Sequence, residues 1–328
     1  MRINKFIVLM LFFASISFAQ QEISQLAGKP GAFSRMGFGA RGISMGNSLS
    51  SVTMGNLVGF HNPAISIYQE QNSFHSGYSF LALDRSLNFI SFTRNFTFGS
   101  KEKGNESKAG FSVGLINSGV SKIEERDDEG NLLGELSTSE NLFYGSISKN
   151  FGDKLSVGLN LKFYYYSLYK EITTTSFGFD LGFLYKINPN WNLSLLITDI
   201  NSSYKWNSTS LYDIYGTEET NKFPMFYKIG SSYHFEEYNL LLATEFERSN
   251  LETNYFRFGF EYNLIENMFL RGGFDRINLS NFEEPSLPSI GFGYNRQVSK
   301  LLVGFDYAFV YDAVTISDRH ILGIMLNF

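Results

Sequence analysis

The stretch Leu155–Tyr165, LSVGLNLKFYY, decides the fold. Leu155, Val157, Leu159, Leu161 and Phe163 alternate with Ser156, Gly158, Asn160, Lys162 and Tyr164. Successive side chains of a strand point to opposite faces, so this segment has one greasy side and one polar or glycine side. The same two-faced pattern returns downstream. Phe177, Phe179, Leu181, Phe183 and Tyr185 alternate with Gly178, Asp180, Gly182 and Lys186, and Leu184 is the one apolar exception. Phe256, Phe258, Phe260 and Tyr262 alternate with Arg257, Gly259 and Glu261. Leu301, Val303, Phe305, Tyr307 and Phe309 alternate with Gly304, Asp306 and Ala308.

A soluble sandwich alternates as well, so the charges must separate the two readings. Lys162, Asp180, Arg257, Glu261, Arg271 and Asp306 all fall on the face opposite the large apolar residues, and Glu245 joins them as a candidate interior carboxylate. Aromatic rings crowd the other face and the strand ends. Lipid outside and a polar lumen inside account for both features, and a sandwich core does not.

The spacing predicts an all-β, transmembrane antiparallel barrel of about fourteen strands. The spans are 74–81, 87–98, 108–117, 139–149, 154–169, 174–186, 191–198, 224–235, 238–247, 254–263, 268–275, 288–295, 301–311 and 319–328. Connections after odd strands include the long polar stretches 118–138, 199–223 and 276–287. Those after even strands are mostly tight, segment 99–107 being the exception. Long loops at one end and short turns at the other is the outer-membrane pattern. His320, Leu322, Ile324, Leu326 and Phe328 alternate to an aromatic terminus, the kind of signal the barrel-assembly machinery reads.

Composition agrees. Aromatic residues make up 17% of the 328 residues, against only 6 prolines, a strand-forming vocabulary. A net charge of -5 with no basic stripe excludes nucleic acid as a partner. Cysteine is absent, so neither a disulfide nor thiolate chemistry is available. Arg2 and Lys5, the apolar run Phe6–Phe18 and Ser17-Phe18-Ala19 read as a signal peptide over 1–19, too short to span a bilayer as a helix.

Residues 20–73 lack strand alternation and are rich in Gly, Ser, Asn and Met. Gly37-Phe38-Gly39-Ala40-Arg41-Gly42 matches the dinucleotide fingerprint in letters only, since neither a buried strand nor a βαβ unit surrounds it. Gly31-Ala32-Phe33, Gly39-Ala40-Arg41, Met45-Gly46 and Asn62-Pro63-Ala64 resemble the N-terminal signature of PorV/PorQ-family proteins, within the wider FadL-like group of long-chain fatty-acid transporter barrels. The acidic run usual between Met-Gly and Asn-Pro-Ala is missing here. The resemblance implies that 20–73 folds as a hatch inside a barrel formed by 74–328, with Gly37, Gly39, Arg41, Met45, Gly46, Asn62, Pro63 and Ala64 as its motif. Arg35 and Arg41 would then need lumen partners, Asp180, Glu245, Glu261 or Asp306, because an unpaired buried charge is costly.

No catalytic, metal or cofactor site is expected. His61, His75, His234 and His320 lie at different heights, and none shares a strand end with a Ser–carboxylate pair beyond the commonplace Asp318-x-His320. Glu124, Glu125, Asp127, Asp128 and Glu129 lack the ordered spacing of a calcium loop and read as a solvated surface loop, with weak divalent-ion bridging to lipopolysaccharide as the alternative. Trp191 and Trp206 are read as interface markers.

Two functions compete at this stage. The PorV/PorQ resemblance implies an accessory of type IX secretion or surface attachment that binds exported proteins through the long loops. The FadL-like resemblance implies passive uptake of small hydrophobic ligands, gated by the hatch. Either way the surroundings are outer-membrane lipid and lipopolysaccharide.

Overall fold

The computed structural model describes residues 26–99, 107–169, 171–315 and 317–328. The segment read as a signal peptide lies outside them. Two-faced strands can satisfy their edge hydrogen bonds by closing on themselves, and these do. β1 (Ser73–Phe80), β2 (Arg85–Phe98), β3 (Ser107–Arg126), β4 (Leu132–Phe151), β5 (Leu155–Tyr169), β6 (Ile172–Lys186) and β7 (Trp191–Ile200) form the first half of the wall. A small pair, β8 (Ser203–Asn207) and β9 (Glu218–Lys222), interrupts the sequence. The second half is β10 (Phe226–Phe235), β11 (Leu240–Ser249), β12 (Asn254–Ile265), β13 (Met268–Asn278), β14 (Leu287–Val298), β15 (Leu301–Val310) and β16 (Arg319–Asn327). Fourteen strands close antiparallel, β7 pairing with β10 and β16 sealing against β1 from Ser73↔Asn327 to Phe80↔His320.

The burial is inside out relative to a soluble protein. Ile147 and Phe177 are 60% and 70% exposed on the outer face, whereas Lys162 and Asp180 are 4% and 1% exposed within. That inversion excludes a sandwich with the aromatics between two sheets. No described helix is long and apolar enough to cross a membrane.

Two connections differ from expectation. Stretch 118–138 is not a loop: β3 and β4 run on as a 20-residue pair, with Ile123↔Leu136 and Glu124↔Glu135 in register, and turn only at Asp127–Asn131. The polar residues there alternate on strands that rise past the apolar band, so hydropathy falls while pairing continues. Stretch 199–223 holds β8, β9 and a one-turn helix, α2 (Thr209–Tyr212). β8 packs on β6 through side-chain bonds, Ser203 N–H donating to Ser176 Oγ at 2.8 Å and Thr174 Oγ1 to the Lys205 carbonyl at 2.9 Å.

The N-terminal segment fills the lumen. It carries a 3-10 turn at Phe33–Arg35, the helix α1 (Gly39–Ser44) and a second 3-10 turn at Pro63–Tyr68. Every residue of α1 is buried. Asn62 builds the second turn: its side chain accepts from Ala64 N–H at 2.9 Å and donates to the Ser50 carbonyl at 2.8 Å, while Pro63 supplies a preset φ. Wall glycines receive the segment. A Cβ on Gly158 would lie 2.5 Å from the Ala64 nitrogen, and Gly46 (φ +59°) presses between the carbonyls of Phe258 and Phe274. Leu184, the apolar exception, packs with Leu57, Ala64 and Ile65 of this segment at 0% exposure.

Candidate functional site: the filled lumen

The lumen has a charged side and an aromatic side. Alternation aims one residue in two inward, so charges on neighbouring strands meet at matching heights. All seven interior charges anticipated from sequence lie within three clusters. In the first, Lys162 Nζ stands 2.9 Å from Asp180 and 3.0 Å from Asp199, with the Tyr164 hydroxyl donating to Asp199 at 2.6 Å. In the second, Arg257 reaches Glu245 and Glu247 at 3.0 Å each and Asp275 at 2.6 Å, and Lys228 adds a contact of 2.9 Å to Glu247. In the third, Glu261 receives Arg41 through two bonds of 2.7 and 2.8 Å and Arg271 at 2.7 Å; Arg271 also meets Asp306.

The segment's own motif residues enter these clusters. Arg41 leaves α1 and, besides Glu261, donates to the Met54 carbonyl at 2.9 Å. Asn47, just after Gly46, donates to Asp275 at 2.8 Å. Gly37 and Gly39, with φ of +104° and +74°, turn the chain on either side of Phe38. Met45 packs with Leu49, Val52, Leu241 and Ala243. Arg35 is different: among the described residues it has no carboxylate contact and donates instead to the carbonyls of Pro30 at 2.6 Å and Lys29 at 3.2 Å. It lines voids that Asp199, Glu245 and Glu247 also line without making an ion pair to any of them, which corrects the expectation that it would pair as Arg41 does.

Asp199, Lys228, Glu247 and Asp275 complete the clusters and were not anticipated. Asp199 occupies a bulge of β7, φ +60°, where the register against β6 slips. A bulge adds a residue that strict alternation cannot place. The other three sit two residues from an inward Gly or Glu, so the period-two signal was present.

The aromatic side belongs to β2–β5. Leu87, Phe89, Ile116, Leu142, Tyr144 and Tyr164 face inward and meet Phe33, Phe38 and Val58 of the N-terminal segment with Tyr204 and Phe223 of the long loop. Phe38 lies 4.0 Å from Phe89 and 5.2 Å from Phe60 by ring centroids; Phe223 lies 4.8 Å from both Tyr164 and Tyr204. Trp206 packs on Tyr166 at 5.3 Å here, rather than marking an interface; its loop folds inward. Trp191 does stand on the outer wall, at the short-turn end.

The histidines are dispersed. His61 packs edge-on to Phe38, His75 faces Phe89, and His320 bonds the Tyr307 hydroxyl on the outer face. No cluster of three potential metal ligands occurs among the described residues. Two voids flank the N-terminal segment. A small one of about 70 Å³ beside Phe60, His61 and Lys162 has room for roughly two waters. A larger one of about 410 Å³ opens toward the long loops.

These features define a closed barrel whose lumen is occupied by its own N-terminal segment. No family model matches the chain, and no curated protein matches it. Solved structures do. The Ralstonia pickettii toluene transporter TbuX is similar over 89% of this chain and 98% of its own, with a TM-score of 0.60 at 13% identity. The Pseudomonas putida toluene transporter TodX is similar over 89% and 96%, with a TM-score of 0.56 at 13% identity. A Pseudomonas aeruginosa FadL homologue is similar over 88% and 98%, with a TM-score of 0.52 at 11% identity. The chain thus shares the fold of FadL-like barrels.

Proposed function

We propose that the chain is an outer-membrane passive transporter of small hydrophobic molecules, with the N-terminal segment as its plug. The observation that carries this reading is the aromatic side of the lumen. It runs from Trp206 and Tyr204 at the long-loop mouth to Phe89 of the wall and Phe38 and Phe60 of the plug. A passage opened along this side by movement of the plug would favour apolar solutes over water and ions. The toluene transporters of the same fold support the reading. The PorV/PorQ reading, an accessory to secretion, rests on the N-terminal signature alone and gains nothing from the comparisons.

In this proposal the long loops face outward toward lipopolysaccharide, the short turns face the periplasm, and a signal peptide directs export. The test is deletion of the gene, with toluene uptake and the secreted protein profile both measured. Uptake should fall and recover on complementation. Unchanged uptake with an altered secretome would reverse the choice between the two functions.

A further inference from the structure

The cavity at the long-loop end has a chemistry that a neutral hydrocarbon does not use. Arg35, Arg85, Arg257, Arg276 and Arg319 line it, against the carboxylates Glu247, Glu284 and Asp312. Each carboxylate is already engaged. Glu247 holds Lys228 and Arg257, Glu284 accepts from Tyr255 at 3.0 Å and Asn278 at 2.6 Å, and Asp312 binds Arg319 at 2.8 Å. Among the described residues, three guanidiniums have only backbone carbonyls as hydrogen-bond acceptors, and Arg35 also lies 5.9 Å over the Phe226 ring. Arg85 Nε donates to the Ala82 carbonyl at 3.0 Å, Arg276 Nη2 to the Arg35 carbonyl at 3.0 Å, and Arg35 to Pro30 and Lys29. A guanidinium has five N–H donors, so each keeps several for a ligand.

The backbone independently points the same way. Arg276 has φ +56°, a left-handed conformation that a non-glycine residue keeps only where its surroundings hold it. It lies in a β-bulge, where the register slips between Phe256 and Phe258 of β12. The bulge brings Arg276 to the mouth directly after the inward Asp275. Most of the remaining lining is apolar, including Leu26, Ala32, Met36, Phe226, Pro285 and Leu287. A volume of about 410 Å³ exceeds the roughly 150 Å³ that suffices for a benzene ring.

We propose that this cavity binds an amphipathic oxyanion, a small aromatic body bearing a carboxylate or phosphate head that Arg35, Arg85 and Arg276 receive. The inference deepens the transporter reading and rests on it only for the side from which the ligand arrives. The shape fits an aryl acid; planar bidentate contact is what guanidinium offers a carboxylate.

The experiment uses the full chain purified in detergent, with calorimetric titration of benzoate, inorganic phosphate and toluene. Benzoate should bind more tightly than toluene, weaken with added salt and be displaced by phosphate. Arg276→Gln and Arg85→Gln should each weaken benzoate about tenfold or more and leave toluene binding unchanged. Both variants must keep the heat-dependent gel mobility of a folded barrel; Arg85 touches no residue of the plug by hydrogen bond, so its variant reads the site without the packing. Benzoate binding no tighter than toluene overturns the proposal, as does wild-type affinity in both variants, or phosphate binding without benzoate. Toluene uptake unchanged on deletion of the gene, with benzoate binding intact, would remove the transporter reading and leave the anion site standing.

Discussion

Glu261 shows what a single side chain does in this lumen. It is the shared acceptor for Arg41 of the plug and Arg271 of the wall, so removing its charge leaves Arg41 without a carboxylate and Arg271 with Asp306 alone. Breaking one partner of such a pair costs about 3–5 kcal/mol. Glu261→Gln should therefore lower the urea-unfolding free energy of the detergent-solubilised barrel by an amount of that order, read as a lower midpoint, and an unchanged midpoint would mean that the network contributes little. Asp312 gives a pH dependence at the mouth. Burial alone pushes its carboxyl up, but Arg319 and the N–H groups of Val314 and Thr315 outweigh that and hold it below the ordinary aspartate value. Its stabilising contribution is present above the ordinary range and is lost as pH falls through the depressed value. A carbon-13 titration of the Asp312 carboxyl should show that midpoint below the ordinary aspartate value, with the 312–318 loop loosening only there.

At the level of elements, the wall strands were legible and their additions were not. Period-two alternation specifies a strand wherever one face meets lipid and the other a polar interior, as Leu155–Phe163 does. It fails once both faces are apolar, as where Leu87 and Phe89 pack inward while Ile90 and Phe92 face out on β2. It fails again where a segment leaves the wall. β8 and β9 lie in a stretch whose polar content reads as loop, yet Tyr204, Trp206 and Phe223 fold into the mouth because the aromatic side would otherwise be exposed to water. Leu184 was visible as an exception, and only the docked plug explains it. Replacing residues 202–223 by a short glycine–serine turn should leave the β7–β10 pairing intact, since that register ends at Thr198 and Phe226. Toluene uptake should then rise because the cover is gone; a fall would make the hairpin part of the route instead of a lid.

The whole molecule is a wall of fourteen strands and a plug that the wall encloses. Side chains alone do not fill a lumen of this strand number. Deleting 26–72 should therefore convert a barrel with little ion conductance in planar bilayers into an open pore, and equal conductance before and after would show that the segment does not obstruct. At the opposite extreme, Gly158→Ala places a methyl against the backbone of Ala64, which cannot swing aside as a side chain can. Protease sensitivity of the plug should increase in that variant while the barrel stays folded. The seam between β1 and β16 has a further consequence, for the order of events during biogenesis. The two strands that meet there are separated by nearly the entire barrel sequence, so the ring cannot shut until the nine residues of β16 have been delivered. The plug precedes β1 and must already be seated, or be admitted through the open seam, when that happens. Contacts so distant along the chain form slowly in free solution. Assembly of this protein is therefore a race between seating the plug and zipping the seam, and a chain that closes first would be sealed around water.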